Sequence, residues 1–364
     1  MSLQFITGAS GAGKSTYIYR QIIARSEKEP EGRFFILVPD QFTMQTQKDL
    51  VSLHDRKGIM NIDVLSFGRL THRIFEEMGG NRLPMLDDTG KSLIIRRVAA
   101  GQRGELPVLG GRLGQTGYIH EVKSAISEFM QYGIGLQELD QLTEFSKKRG
   151  QLYYKLKDLR TVYEGVQKFI REKYLTTEES LEVLASYVPQ SKLLKDSVIV
   201  FDGFTGFTPV QNRVIAELMK QAKEVIVTVT LGSGENPWEE IREQELFSMS
   251  KKTIQTLAKL ARDVEIPIAD VVEIAPKCSP RFSEKGMLQH LEKYLFRYPV
   301  CVWKPAPAGV STQSASAGMA AQECAETGGQ ERFAAQNTAS GLPSVQIRLL
   351  EASTLREEVR QICI

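Results

Sequence analysis

The run Gly8-Ala9-Ser10-Gly11-Ala12-Gly13-Lys14-Ser15, almost at the start of the chain, constrains the fold more than any other feature. Its pattern is a glycine, four residues, then Gly-Lys-Ser. Gly8 and Gly13 permit backbone turns that a Cβ forbids. The successive N–H groups of such a loop form a nest for phosphate oxygens. The helix that follows adds unpaired donors and a partial positive charge at its N-terminus. In this arrangement Lys14 reaches the terminal phosphates of a nucleoside triphosphate, and the Ser15 hydroxyl can ligate Mg²⁺. The flanks fit: Leu3-Gln4-Phe5-Ile6 reads as a short apolar strand, and Lys14 to about Arg25 as a helix with Ile18, Ile22 and Ile23 on one face. ATP with Mg²⁺ is therefore the expected ligand pair, bound by Gly8 to Ser15 and by Thr16 directly after them.

Size and composition leave room for this reading. The chain has 364 residues, 42 % hydrophobic and 25 % charged, as in an ordinary α/β protein of two or three domains. The net charge is only +2, so any nucleic-acid contact must come from local patches. No basic segment followed by an apolar stretch marks a secretion signal, and no run approaches the roughly 18 apolar residues of a membrane span. Cys278, Cys301, Cys324 and Cys363 form no CxxC pair and no metal-site spacing. A cytoplasmic protein without a membrane partner is expected.

The first segment alternates strands and helices. Arg33 to Val38 reads as a buried strand ending at Pro39, and Ile62 to Phe67 as another, followed by a helix through Leu70, Ile74 and Phe75. Such alternation points to parallel strands with crossover helices. Long amphipathic stretches then take over, among them Asp88 to Ala100, His120 to Tyr132 and Tyr154 to Tyr174. Strands return at Ser197 to Phe201 and Val225 to Thr230, with a helix around Pro209 to Lys220 between them. The expected organisation is an α/β, P-loop parallel-sheet domain over 1–85 plus 195–285, interrupted by a helical insertion over 86–194. Residues 305–344, dominated by Ala, Gly, Ser, Thr and Gln, bury too little to offset ordering entropy and read as a low-complexity linker. Residues 345–364 read as the start of a second α/β domain. An apparent helix runs to Ile364 without a cap, so the chain is expected to be the N-terminal part of something longer.

Asp202 ends an apolar strand, which is where a phosphate-loop protein places its second magnesium contact beside Ser15. The stretch Asp202-Gly203-Phe204-Thr205-Gly206-Phe207-Thr208-Pro209-Val210-Gln211 aligns without gaps to the Asp-Glu-Phe-Gln-Asp-Thr-Asn-Pro-Leu-Gln stretch of UvrD-like superfamily 1 helicases. The Asp, Phe, Pro and Gln agree. The Glu that would polarise the attacking water is replaced by Gly203. With the start Gln4-Phe5-Ile6-Thr7-Gly8, the runs Val38-Pro39-Asp40-Gln41-Phe42-Thr43 and Asp63-Val64-Leu65-Ser66-Phe67, and the late Leu350-Glu351-Ala352, the chain resembles the N-terminal third of the AddB family. The resemblance covers all but the low-complexity stretch before Ser344.

The resemblance implies a RecA-like first helicase domain in the B subunit of a heterodimeric helicase–exonuclease. Its partner would be an AddA-type helicase–nuclease subunit, its substrates DNA ends and single-stranded DNA, and its role break processing with recognition of the regulatory Chi sequence. It also implies a nuclease domain and a 4Fe-4S cluster further along the family's full length. No catalytic residue for the nuclease and no cluster ligand is assignable in this chain. DNA contacts are expected from the loops after the second and third strands: Gln41, Phe42, Thr43, Ser66, Phe67, Arg69 and Arg73, with Arg69 and Arg73 as phosphate donors and Phe67 able to stack on a base. Gly203, and the absence of a Gly-Asp and Gln sensor in Val227 to Gly232, lead to an expectation of binding with little or no hydrolysis. Two alternatives stand beside it: an autonomous ATP-hydrolysing helicase or kinase, which should carry Glu after Asp202, and a scaffold with a vestigial nucleotide site.

Overall fold

The computed structural model describes residues 1–275 except 81, 82, 113, 114 and 172, together with 287–295 and 301–303. The regions 305–344 and 345–364 lie outside the described residues, as do Cys278, Cys324 and Cys363. Met1–Phe296 form one compact unit, which holds all the elements below. The first half runs β1 (Leu3–Gly8), α1 (Lys14–Lys28), β2 (Phe34–Leu37), α2 (Thr43–Leu53), β3 (Ile62–Leu65) and α3 (Phe67–Glu77). Then come β4 (Met85–Leu86), α4 (Asp88–Gly101), α5 (Thr116–Tyr132), α6 (Leu136–Phe145), α7 (Gln151–Ile170) and β5 (Leu175–Thr176). The chain returns through α8 (Thr177–Tyr187), β6 (Val198–Phe201), α9 (Pro209–Gln221), β7 (Glu224–Thr230), α10 (Ser248–Asp263), β8 (Val272–Glu273) and α11 (Met287–Tyr294).

Six strands form a parallel sheet in the order β3-β2-β6-β7-β1-β8, and β4 pairs with β5 in a small parallel ladder of its own. This is an α/β architecture consistent with a RecA-like fold. The strands alternate their side chains between two packed faces, as a period of two requires. Phe34 and Ile36 meet Ile18, Ile22 and Leu50 of α1 and α2, while Phe35 and Leu37 meet Leu70, Ile74, Val214 and Leu218 of α3 and α9. Both faces are covered, so β2 and β6 are apolar throughout. Each such fully buried side chain stabilises the sheet by about 1.5–3 kcal/mol.

The helices α4 to α7 enclose a separate core of Ile95, Ala99, Val122, Ile126, Leu139, Val162 and Val166. Asp158 is fully buried there, its Oδ2 accepting from the backbone N–H of Val108 (2.9 Å) and Leu109 (2.8 Å). This layer is tied to the rest by a buried ion pair: Lys91 Nζ of α4 donates to both carboxylate oxygens of Glu178 of α8, at 2.8 and 2.7 Å.

Several sequence-based boundaries move. The strand read over Ile62 to Phe67 ends at Leu65, because Ser66 Oγ accepts from Arg69 N–H and caps α3, making Phe67 its first residue. The helix read over Tyr154 to Tyr174 ends at Ile170, where the chain turns into β5 to pair with β4. The helices α2, α6, α8, α10 and α11 are additions to the individual elements read from sequence.

Removing one partner of the Lys91–Glu178 pair strands a buried charge. Lys91→Met is expected to lose about 3–5 kcal/mol in urea denaturation, and the double change Lys91→Met with Glu178→Leu much less.

Candidate functional site

Because every strand of the sheet runs the same way, the loops after β1, β2, β3, β6 and β7 all emerge at one edge. Towards one end of this edge, beside β8, is the turn from β1 into α1. Gly13 has φ +97°, in the left-handed region that a side chain disfavours. At Gly8 the constraint is space: a Cβ there would lie 2.5 Å from the Ile274 carbonyl oxygen. That carbonyl is held in place because Ile274 N–H donates to Thr7 O at 2.7 Å, beside β8. Lys14 Nζ donates to Gly8 O and Ala9 O, both at 2.9 Å, so the ammonium lies across the mouth of the loop. Burial lowers the Lys14 ammonium below the usual lysine range, and the Asp202 carboxylate partly offsets this.

Asp202 follows β6, one strand away from β1 across β7. Its carboxylate is enclosed, the residue being only 4 % exposed. Oδ1 accepts from Ser15 Oγ at 3.1 Å and from Thr228 Oγ1 of β7. Oδ2 accepts from the phenol of Tyr19, at 2.6 Å. Burial, and then the Asp202 charge, push the Tyr19 phenol far up, so it stays a donor. Ser15 and Asp202 are thus brought together as the sequence reading requires. Tyr19 and Thr228 are site side chains, by their contacts with Asp202, that the sequence reading missed. Tyr19 lies one helical turn after Ser15 and so shares its face, but Thr228 can be found only from the order of the strands.

The pair suits a hard cation. A hydroxyl and a carboxylate oxygen in mutual contact are the donor set with which Mg²⁺ is held alongside phosphates and water. Among the described residues no group of three or more His, Cys, Asp or Glu could hold a metal ion. Nothing there fits a cluster of the 4Fe-4S kind, which takes four cysteine thiolates. Gly203, next to Asp202, has φ +78° and carries no side chain that could orient water.

Seven residues read as nucleic-acid contacts lie in the loops after β2 and β3 and in the helices α2 and α3 that follow them, and the structure separates them. Gln41, Phe42 (45 % exposed) and Arg69 face outwards. Arg73 is partly exposed and paired with Asp63 at 3.0 Å. The other three are turned inwards. Thr43 donates to Asp40 O, Ser66 caps α3, and Phe67 is 7 % exposed. The Phe67 ring is packed against Phe201, Phe204 and Phe207, with centroids 5.8, 5.7 and 6.5 Å away. Its faces are already covered in this packing, so it braces the loop instead of offering a stacking platform.

The irregular segment after β7 is pinned as well. Lys251, with its side chain 3 % exposed, pairs with Glu235 and Glu245 at 3.1 Å. Gln255 Nε2 donates to Pro237 O and Glu239 O. No described helix is long and apolar enough to cross a membrane.

The family model described as "ADDB, N-terminal" matches residues 5–292. A protein of Lachnoclostridium phytofermentans, named as the B subunit of an ATP-dependent helicase/deoxyribonuclease, is 46 % identical over 303 residues, covering 82 % of this chain and 26 % of the relative. Proteins of the same name from Acetivibrio thermocellus and Clostridium tetani are each 31 % identical, again over 82 % of this chain and 26 % of the relative. The chain therefore spans about a quarter of the length of these relatives. With the parallel sheet, the loop at Gly8–Ser15 and a match over most of its length, the chain belongs to the AddB family, as its N-terminal domain.

Proposed function

We propose that this chain is the ATP- and DNA-binding N-terminal part of the B component in a heterodimeric helicase–exonuclease, and that it binds nucleotide with little or no turnover. In this reading the complex processes DNA double-strand breaks for recombinational repair, with an AddA-type helicase–nuclease as partner and Chi recognition among its tasks. The relatives share a name that makes each the B component of an ATP-dependent helicase/deoxyribonuclease, which supports the assignment at the level of the complex. The observation that carries the nucleotide reading is the contact of Ser15 with Asp202 behind a complete phosphate loop.

Each part has a role. The backbone N–H groups of Gly8 to Ser15 and the N-terminus of α1 take the phosphates, and Thr16 flanks them. Lys14 exchanges its two carbonyl partners for phosphate oxygens. Ser15 and Asp202 would hold Mg²⁺, which neutralises phosphate charge when bound. Hydrolysis also needs a group that orients water and an arginine that stabilises the transition state. Gly203 supplies no such group, and this is what favours binding over a motor. For DNA, Gln41, Phe42 and Arg69 form the outward contacts, with Arg73 at their edge.

Lys14→Ala is expected to weaken an ATP analogue about 10–100-fold, the worth of a charge-assisted contact. The wild type should show no steady-state hydrolysis. Several turnovers per second, abolished by Lys14→Ala, would overturn the non-motor reading.

The DNA face gives a second test. Arg69→Ala should leave the melting midpoint in place, weaken single-stranded DNA binding, and flatten the log–log salt slope by about 0.7. Phe67→Ala should instead lose about 3–5 kcal/mol of stability, because it empties an enclosed aromatic site.

A further inference from the structure

Tyr19 stands between the Asp202 carboxylate and α2. It is 4 % exposed, and its neighbours Ile18 and Ile22 already supply the apolar contact between α1 and the sheet. Packing alone would be served by a ring without an oxygen. The oxygen is nevertheless committed: the phenol donates to Asp202 Oδ2 at 2.6 Å. The same oxygen lies 3.4 Å from Thr46 Oγ1 of α2, which is also buried. With the phenol hydrogen given to Asp202, the contact with Thr46 must run the other way, Thr46 donating to Tyr19.

Ser15 and Tyr19 therefore grip the two oxygens of one carboxylate from a single face of α1. Ser15 takes Oδ1, the oxygen also held by Thr228, and Tyr19 takes Oδ2. We propose that Tyr19 is a positioning residue for the metal–nucleotide site: by fixing Oδ2 it directs Oδ1 of Asp202 at Ser15. Without the phenol, Oδ2 would be buried without that donor, and the carboxylate would rotate to relieve it. Thr46 steadies Tyr19 in turn and brings α2, which starts beside Gln41 and Phe42, into contact with the same network. The inference rests on the nucleotide-binding reading above and adds the residue that sets its metal dependence.

The test is a Mg²⁺ titration of the binding of a fluorescent ATP analogue to the whole chain. It compares the wild type, Tyr19→Phe, Asp202→Asn and the double variant. Tyr19→Phe keeps the ring and so keeps the core filled. The Mg²⁺ concentration giving half of the metal-dependent gain in affinity should rise about tenfold in Tyr19→Phe. Affinity in excess chelator should hold at its wild-type value, and the effect should vanish in the Asp202→Asn background. An unchanged or lower Mg²⁺ requirement overturns the proposal. So does an equal loss with and without Mg²⁺, the mark of a scaffold role, or a full effect that persists without the Asp202 charge. A wild type that binds no nucleotide under either condition overturns the functional reading itself, and this inference with it.

Discussion

The Asp202 carboxylate is almost fully enclosed, and an ion in that position destabilises a protein by several kcal/mol unless its oxygens are met by donors. Three hydroxyls meet it, and they come from two elements. Ser15 and Tyr19 lie on successive turns of α1, and Thr228 lies on β7. Their convergence depends on strand register. Ile6 of β1 is level with Thr228 of β7, and Phe201 of β6 is level with Val227. A slip of one residue between β7 and β6 would turn Thr228 to the opposite face and withdraw a donor. The register, the seating of α1 and the burial of the carboxylate are therefore mutually supporting.

The same edge is stiffened on either side of this centre. Phe67, Phe201, Phe204 and Phe207 pack ring against ring, joining the start of α3 to the end of β6 and the loop after it. Asp202 N–H donates to Leu37 O at 2.9 Å, joining β6 to the end of β2. On the other flank Lys251 gathers glutamates from the segment after β7. The Glu235 carboxylate, with Glu245 behind it, holds the lysine's ammonium above its usual range. Outward side chains such as Gln41, Phe42 and Arg69 are thus mounted on segments whose inward residues are fixed.

The local elements that frame the site were legible because they are written in short-range chemistry. Gly-rich turn, flanking apolar strand and the Ile18–Ile22 stripe need only a few neighbouring residues to be read, and so does the apolar strand ending in Asp202. What escaped depends on tertiary contact. Phe67 reads equally well as a stacking ring or as core, and only the three phenylalanines around it decide for core. Thr228 is one of two threonines in a largely apolar strand until β7 is placed between β1 and β6. The helix α10 escaped because it follows an irregular segment held by Lys251 and Gln255, with no periodic lead-in. Tyr19 was in plain view at four residues from Ser15, yet a tyrosine on a buried helical face reads as packing until its oxygen is located.

The backbone at Gly203 bears on the proposal of a binding site over a motor. Its φ of +78° lies where an L side chain is strained by roughly 1–2 kcal/mol, so the local backbone is shaped for glycine. A Cβ at this position would find room, its nearest neighbour being Pro39 Cδ at 3.7 Å. The obstacle to a carboxylate here is therefore the turn and not crowding. A site that holds nucleotide without consuming it acts as a stabilising ligand site: at a hundredfold excess over Kd the gain is about 2.7 kcal/mol. If nucleotide binds as proposed, that gain falls on the contacts that seat α1 against Asp202 and on the loops that share its edge. On the same proposal, nucleotide would set the rigidity of the surface assigned to DNA, and any motion along DNA would have to be driven by another ATP site.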